Sequence, residues 1–513
     1  MTVALLLGEL RTADVVLAAG EGRNMADDVL LDLQIHDVWD ALPGELRQEF
    51  VTRRAASTGW GSYLPQESDG RCWEPLRPVV IGERAYRGLE SLAARLLRLA
   101  VDACGRRAST LGELYRVLRF PHNLPLMDPD RPVVAAELTR YARPDMLIEQ
   151  GRPRLLEFNN SSRLGGDTGT PRLAEAYARL CPQSGLHPPP STVSARSAAL
   201  ARTLRGEIGH GDLGRLLIPA HWGIDTNTGT VRRYETVKSP ILADAQRVGF
   251  EVVQADLVDL RLDAAGRLLA ADVPIDLVLL QWGGNRIVDD GGGLAALRTA
   301  DRARTVELFP RTESALISSK AVLSWLHEDC DAGLLAAADH ALVRTHVPWT
   351  ACLGLDGDPA AQRKLLRMVT GERDRLIVKP AVGKSGDGVL FGNQTSKQDW
   401  LSAVIDASRE RPVVVQHRVE SGRITMPFRD QDSGQQVTAQ VPFVLSPFII
   451  DGAAASVAVR HMGPGVTAGD VVISVGRGAR PNTVLLAPEP PAQCPRSWFG
   501  EGDQTEQHDV NGK

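Results

Sequence analysis

The segment from Arg143 to Asn159 reads RPDMLIEQGRPRLLEFN, and the rest of the chain is interpreted in relation to it. Its apolar residues predict two strands, one starting at Asp145 and one at Arg154, joined by a polar turn over residues 149–151. A turn this short makes the strands antiparallel neighbours. The sequence therefore predicts a β-hairpin.

Polar residues repeat along the second strand of this hairpin. Alternation predicts that Leu155, Glu157 and Asn159 share one face, with the residues between them on the other. The first strand would bring Asp145 alongside Glu157 and Asn159. These oxygen donors are the ligands that a Mg²⁺ ion held against phosphates requires. A surface hairpin whose polar side chains face water explains the same alternation, so both interpretations stand at this point.

Composition is typical of a large enzyme. The chain has 513 residues, 43% of them hydrophobic, which is enough for two or three folded lobes. The formal net charge of -5 and the pI near 6.2 argue against a nucleic-acid-binding protein. Six scattered cysteines without a C-x-x-C pair indicate reduced thiols in a cytoplasmic protein. A signal peptide is not predicted, because the first residues form only a short apolar run with no basic residues before it. A membrane span is not predicted, because no apolar run approaches about 18 residues.

A second informative segment is RLIVKPAVGKSGDGVLF, residues 375–391. An apolar strand ends at Lys379, a loop carries three glycines, and an apolar strand returns. Such a loop presents backbone N–H groups to phosphates while a lysine neutralises their charge. A Walker A motif is excluded, since it needs a glycine where this chain has Val378 and should lead into a helix. A glycine-rich hairpin without a ligand is the alternative.

The two segments together resemble glutathionylspermidine synthases, which are circularly permuted ATP-grasp ligases. The resemblance lies in Arg-x-Asp followed by Glu-Phe-Asn, and in Lys379-Pro-x-x-Gly-Lys384-x-Gly, where Lys384 replaces the family's arginine. It implies that ATP and Mg²⁺ are bound, with the metal on Asp145, Glu157 and Asn159. The implied nucleotide-binding residues are Lys320, Lys379, Gly383, Ser385, Gly386, Gln416, Val419 and Arg460. Arg143 and Lys384 are the implied catalytic residues, and Ser161 and Ser162 the implied substrate contacts.

Several of these residues also have an ordinary explanation. Lys320 could be an exposed helix lysine, Gln416 a strand-end side chain facing solvent, and Arg143 part of a surface ion pair. A Gly- and Ser-rich loop before a helix explains Ser161 and Ser162 without a substrate. The order of the motifs along the chain favours the functional interpretation of Lys320 and of the glycine loop that follows it.

The fold class predicted is α/β (α+β): an ATP-grasp fold in permuted order, with a small parallel α/β pre-ATP-grasp domain and a helical N-terminal region. The small domain is predicted from alternating strands and helices between Arg215 and Gln281. The predicted boundaries are 1–120 for the helical region, 121–185 for the metal-binding part, 190–315 for the pre-ATP-grasp domain, 316–486 for the nucleotide-clamping part and 487–513 for a flexible tail.

The resemblance implies a carboxylate–amine ligase that forms an amide bond through an acyl phosphate and releases ADP and phosphate. The implied substrates are small carboxylates and amines of the amino acid, peptide or polyamine class, and a homo-oligomer stays open. Two alternatives remain: a ligase whose substrate is carried on a protein or peptide, and a non-catalytic ATP-binding descendant. The complete Asp/Glu/Asn set argues against the second.

Overall fold

The computed structural model describes residues 33–52, 71–121, 124–161, 164–208, 214–224, 229–234, 240–281, 286–288, 291–355, 359–383, 386–466 and 471–488. The predicted site residues Ser162, Lys384 and Ser385 lie outside these ranges. Helices and strands are both abundant, which confirms a mixed α/β class. No helix of the described ranges is both long and apolar enough to cross a membrane.

The strands, in chain order, are β1 (Trp73–Pro75), β2 (Val79–Gly82), β3 (Tyr141–Glu149), β4 (Arg152–Asn159), β5 (Arg215–Ile224), β6 (Val231–Tyr234), β7 (Glu251–Asp256), β8 (Leu260–Leu262), β9 (Leu268–Ala270), β10 (Val273–Pro274), β11 (Leu277–Leu279), β12 (Arg286–Ile287), β13 (Glu307–Phe309), β14 (Thr350–Leu353), β15 (Leu376–Pro380), β16 (Leu390–Phe391), β17 (Val413–His417), β18 (Arg423–Asp430), β19 (Gln436–Ile450), β20 (Ala453–His461) and β21 (Arg480–Ala487).

The α-helices are α1 (Gly44–Thr52), α2 (Glu83–Gly105), α3 (Leu111–Val117), α4 (Ala135–Leu138), α5 (Gly169–Leu180), α6 (Thr192–Ile208), α7 (Pro240–Arg247), α8 (Gly293–Arg302), α9 (Ala321–Asp331), α10 (Ala337–His346), α11 (Pro359–Gly371) and α12 (Lys397–Glu410).

An eight-stranded sheet organises the molecule. Its order is β1-β18-β19-β20-β21-β2, and the hairpin β3–β4 joins it where β3 pairs with β19. The N-terminal region supplies β1 and β2 to this sheet in addition to its helices. The amphipathic helix α2 buries Leu89, Leu92 and Leu96 in the same core cluster as the sheet residues.

Two further large sheets, of six and of four strands, complete the fold. Strands β7, β5, β11 and β13 run parallel, and β6 and β12 pair antiparallel with β5. The other sheet, in the order β14-β17-β15-β16, is antiparallel throughout. Helices α11 and α12 cover it, with Val369 and Trp400 in its core. Strands β8, β9 and β10 form a small separate sheet.

Candidate active site

The hairpin forms as its sequence predicts, with Asp145 alongside Glu157 and Asn159. Asp145 lies directly opposite Glu157, and Arg143 opposite Asn159. Gln150 and Gly151 both have positive φ, 50° and 80°, so a two-residue type I′ turn closes the hairpin. The acidic pair and the asparagine are therefore held together by main-chain pairing.

The predicted alternation is wrong at one position. The register shifts between Asp145 and Met146, and this bulge leaves one extra residue in β4. Leu155 is fully buried in the main core cluster, so it does not share the face of Glu157, whereas Leu156 borders a cavity beside Glu157. The bulge thus reverses the two leucines while leaving Glu157 and Asn159 on the predicted face.

Asp145 is the most heavily contacted carboxylate of the site. Its Oδ2 lies 2.7 Å from Nη2 of Arg460, and its Oδ1 lies 3.4 Å from Nε of Arg143. Ser446 donates its hydroxyl to Asp145 Oδ1 at 2.8 Å and accepts from Arg460 Nη2 at 2.9 Å. Three strands, β3, β19 and β20, therefore converge on one buried carboxylate.

The charges around Asp145 decide its ionisation. Burial alone would raise the pKa of this carboxyl, but the positive charges of Arg460 and Arg143 and the hydrogen bonds from Arg460 and Ser446 outweigh burial and hold its pKa well below the ordinary value. Burial in turn lowers the pKa of Arg143. Asp145 is consequently an anion at neutral pH.

Glu157 meets the lysine predicted to bind nucleotide. Nζ of Lys320 lies 2.8 Å from Oε2 of Glu157 and donates to the Gly383 carbonyl at 3.4 Å. The amide nitrogen of Asn159 donates to the Arg143 carbonyl at 3.1 Å, so its side-chain oxygen is the group that could serve as a ligand. Lys320 thereby connects the hairpin to the start of the glycine loop.

Lys379 is a buried lysine with polar partners on two strands. Its Nζ donates to the Leu156 carbonyl at 3.1 Å and to Gln416 Oε1 at 2.9 Å. Burial lowers its pKa to about 8; the nearby charge of Lys320 acts in the same direction, while Glu157 and Asp145 oppose it. The bulge in β4 supplies one of these partners.

One cavity of about 560 Å³ brings these side chains together. The predicted residues that line it are Arg143, Asp145, Glu157, Asn159, Lys320, Lys379, Gly383, Gly386, Val419 and Arg460. Nε of Arg460, a buried donor, has no hydrogen-bond partner among the described residues. Cationic groups and glycine backbone therefore surround a pair of carboxylates.

Gln416 was interpreted either as a nucleotide-binding residue or as a strand-end side chain facing solvent, and its position agrees with neither. Its side chain is fully buried, so it does not face solvent, and it is not among the described residues that line the cavity. Oε1 accepts from Lys379, and Nε2 donates to Oγ1 of Thr350 at 2.9 Å. The side chain lies behind Lys379.

The predicted substrate contact Ser161 is half-buried and lies outside the described cavity wall, which is formed nearby by Gly165, Gly166 and Thr170. Asp167, in the same loop, accepts from the hydroxyl of Tyr141 at 2.8 Å and pairs with the buried Arg196. This carboxylate therefore anchors the loop instead of pointing to a ligand.

Sequence reasoning missed several cavity residues. The segment 471–476 forms one wall, and Arg418 and Ser421 line another part. Ser446 is not among the described lining residues, but it bonds to Asp145 and Arg460 beside the cavity. It was missed although it had a signal, since it is a polar residue within the apolar run of β19. The segment 471–476 carries no such signal, because its place in the wall depends on contacts distant in sequence.

The donor set fits a hard divalent cation. Among the described residues, no group of three His, Cys, Asp or Glu side chains is arranged to hold a metal. Asp145 and Glu157 nevertheless face each other with Asn159 beside them, and all three offer oxygen. A magnesium ion that takes its remaining ligands from phosphate and water needs only such a partial set.

No protein-family model and no curated protein sequence matches the chain. Among solved structures, a glutathione synthetase like-effector from Globodera pallida is 14% identical with a TM-score of 0.49, and the match covers 87% of this chain and 97% of that chain. A putative gamma-glutamylcysteine synthetase from Methylobacillus flagellatus is 13% identical with a TM-score of 0.37, covering 77% of this chain and 88% of that chain. D-alanyl-alanine synthetase A from Vibrio cholerae is 12% identical with a TM-score of 0.24, and the match covers 53% of this chain and 89% of that chain. At these identities and TM-scores, the chemistry of the site rests on its own residues.

Proposed function

We propose that this protein is an ATP-dependent carboxylate–amine ligase that forms an amide bond through an acyl phosphate and releases ADP and phosphate. The observation that carries the proposal is the single cavity in which Asp145 and Glu157 face Lys320, Lys379 and Arg460. Such a combination suits a polyphosphate and its metal, because the cations offset phosphate charge and the carboxylates hold the divalent ion.

The phosphate-binding part of the proposal rests on the cations. Lys320 and Lys379 approach from α9 and β15, and Arg460 lies at the end of β20 with an unpartnered buried N–H. A buried donor without a partner is costly, and an anionic ligand would remove that cost. Gly383 and Gly386 supply backbone, and Val419 an apolar surface for the base. Lys384 and Ser385 belong to the same proposed loop.

Asp145, Glu157 and Asn159 would hold magnesium, which neutralises phosphate charge when bound. The metal-binding hairpin precedes the glycine loop in the chain, the order expected of a permuted ATP-grasp ligase. In the unliganded protein, Arg460 and Lys320 balance these carboxylates. Ligand binding would therefore redistribute existing ion pairs and would not require two bare charges to be buried.

The reaction depends on positioning and charge stabilisation. The substrate carboxylate attacks the γ-phosphorus of ATP, ADP leaves, and the amine then displaces phosphate from the acyl carbon to form the amide. Arg143 is the group proposed to polarise the acyl phosphate. Its Nη1 donates to the Gly165 carbonyl at 2.5 Å, and its Nε faces Asp145, so the guanidinium is held in one orientation at the cavity wall.

ADP formation tests this proposal. Purified protein would be incubated with Mg-ATP and pools of amino acids, short peptides and polyamines, and ADP formation would be measured for each pair of pools. We expect ADP formation that requires both an acid and an amine and that is lost in Glu157→Ala. Binding of Mg-ATP with no turnover for any pair would favour a non-catalytic descendant, and absence of Mg-ATP binding would refute the proposed function.

A further inference from the structure

The position of Lys379 is fixed by groups on two separate sheets. The Leu156 carbonyl belongs to the hairpin of the eight-stranded sheet, and Gln416 belongs to β17 of the four-stranded sheet. An ammonium group has three N–H donors. These two acceptors use two of them, and because Lys379 lines the cavity, the third is available to a ligand there.

Strand pairing aligns the groups that hold Lys379. Thr350 of β14 lies directly opposite Gln416 of β17, and Gln416 lies opposite Ile377 of β15. Directly opposed residues share one face of a sheet, and Lys379, two positions after Ile377, has the same face. Thr350, Gln416 and Lys379 therefore form a row across three neighbouring strands.

The hydrogen bonds fix which way the Gln416 amide points. Thr350 donates its only hydroxyl hydrogen to the Pro348 carbonyl at 2.7 Å, so its oxygen can only accept from Gln416. The NH₂ group of Gln416 must then face Thr350, and its oxygen must face Lys379. With the amide reversed, NH₂ would oppose the ammonium and two donors would lack acceptors.

We propose that Gln416 is a positioning residue that holds Lys379 Nζ with one N–H directed into the cavity, and that it does not contact the nucleotide base. This rests on the proposed function, because the anion that would receive the N–H is a phosphate of ATP. A lysine has four rotatable side-chain bonds, so holding its ammonium before the ligand arrives spares ordering entropy on binding. Glu157 and Lys320 also act on Lys379, but through charge and without a hydrogen bond that sets direction.

Lysine NMR tests this directly, since the chain has only seven lysines: Lys238, Lys320, Lys364, Lys379, Lys384, Lys397 and Lys513. Protein labelled with ¹³C and ¹⁵N at lysine would report Nζ protons that exchange slowly because they are buried and hydrogen-bonded. Lys379→Arg assigns the Lys379 signal. The comparison is between Gln416→Met, which keeps the side-chain length without an acceptor, and Gln416→Glu, which retains one.

In the unliganded protein we expect the slowly exchanging Lys379 signal to disappear in Gln416→Met and to persist in Gln416→Glu. The Kd for Mg-ATP should rise about tenfold in Gln416→Met, because this variant loses the charge-assisted hydrogen bond to Lys379. It should rise less than about threefold in Gln416→Glu, because this variant retains the bond. An unchanged Lys379 signal in folded Gln416→Met would overturn the proposal. If Gln416→Met does not fold, the Gln416→Glu variant decides. A Lys379 signal at an unchanged chemical shift in Gln416→Glu would overturn the proposal, because a carboxylate bonded to the Lys379 ammonium must change that shift.

Gln440→Met is the matched control. Gln440 also donates to a threonine hydroxyl, that of Thr425, at 2.6 Å, but on an exposed part of the eight-stranded sheet. It should leave both the lysine spectrum and the Kd unchanged. If the wild-type protein does not bind Mg-ATP, the proposed function fails, whereas the spectrum of the unliganded protein still decides whether Gln416 fixes Lys379.

Discussion

Arg460 Nη2 lies 2.7 Å from Asp145 Oδ2, and this ion pair joins β20 to the hairpin inside the cavity wall. The opposite carboxylate, Glu157, is in a different environment: 27% of its side chain is exposed, against 7% for Asp145. We therefore expect substitutions at these two facing acidic residues to lower the stability of the protein by different amounts.

Asp145→Asn should destabilise the protein by about 3 kcal/mol, because it leaves Arg460 and Arg143 buried without their counter-charge. Glu157→Ala should cost about 1 kcal/mol, since Glu157 is partly solvated and contributes little to the core. Both substitutions should abolish magnesium-dependent turnover. Urea unfolding gives the stabilities, and ADP formation gives the turnover.

These two variants also separate structural from functional roles. Near-normal ligase activity in Glu157→Ala would remove the hairpin from the active site. Equal destabilisation by the two substitutions would show that the difference in burial between the carboxylates has no energetic consequence.

The hairpin contains one feature that the sequence could predict, the antiparallel strand pair, and one that it could not, the bulge in β4. Local signals, namely the alternation and the polar turn, were enough to predict the hairpin and to bring Asp145 alongside Glu157 and Asn159. They did not predict the exact pairing, because a two-residue turn at Gln150-Gly151 without a bulge would place Asp145 opposite Leu156 and not opposite Glu157. The bulge at Leu156 was not predictable, because it depends on how β3 meets β19 and how β4 meets Lys379. A strict period of two cannot contain an extra residue.

Longer-range placement escaped prediction for the same reason. Gln416 ends an apolar strand, a pattern equally compatible with an exposed side chain, a base contact or the buried bridge to Lys379 that the structure contains. Its partner Thr350 lies 66 positions away.

Gly165 should limit the size of the substrate beside Arg143. A Cβ atom at this glycine would lie 3.8 Å from Nη1 of Arg143, which is ordinary contact, so a side chain can be accommodated and would extend along the cavity wall. Gly165→Leu should raise the KM for the acid or amine substrate about tenfold or more while leaving the KM for ATP within about twofold.

The matched control is Gly371→Leu at the end of α11, where a Cβ meets no atom within 4 Å. Both variants should unfold at temperatures close to that of the wild-type protein. An equal rise in the KM for ATP and for the other substrate would place Gly165 away from the acceptor end of the cavity.

Stability should fall below neutral pH because His461 is buried in its neutral form. Its Nδ1 lies 3.0 Å from the Met462 carbonyl and its Nε2 lies 3.3 Å from the Asn482 amide nitrogen, which suits a neutral ring that donates from Nδ1 and accepts at Nε2. Burial lowers the pKa of His461 from 6.5 to about 4. The folded protein thus binds this proton less readily than the unfolded chain does.

The contribution of His461 is complete above pH 6.5 and is lost as the pH falls toward 4. At pH 5 the loss is on the order of 2 kcal/mol relative to pH 7.5, from about 1.4 kcal/mol for each pKa unit. Urea unfolding at both pH values checks this, with His461→Gln as the comparison. The variant should lose less stability between the two pH values, and an identical loss would show that His461 does not titrate as its burial indicates.

Gly386 should be required for the glycine loop to lie against the opposite cavity wall. Its φ is +75°, which disfavours any side chain, and a Cβ atom there would overlap Cγ1 of Val472. Asp387 forms an ion pair of 3.1 Å with Arg477 in the same region. Gly383 differs, because a Cβ there would lie 3.5 Å from Pro380, an ordinary contact.

Hydrogen exchange on the peptide from Val378 to Leu390 should show this difference. In the wild-type protein, Mg-ATP should slow exchange, because phosphate oxygens would give acceptors to loop N–H groups. Gly383→Ala should retain this protection, whereas Gly386→Ala should lose most of it and turn over at least about tenfold more slowly, since strain and the overlap with Val472 keep the loop from closing. If saturating Mg-ATP leaves exchange of the wild-type peptide unchanged, this loop does not cover the phosphates. If the two alanine variants behave alike, the contact between Gly386 and Val472 has no part in closure.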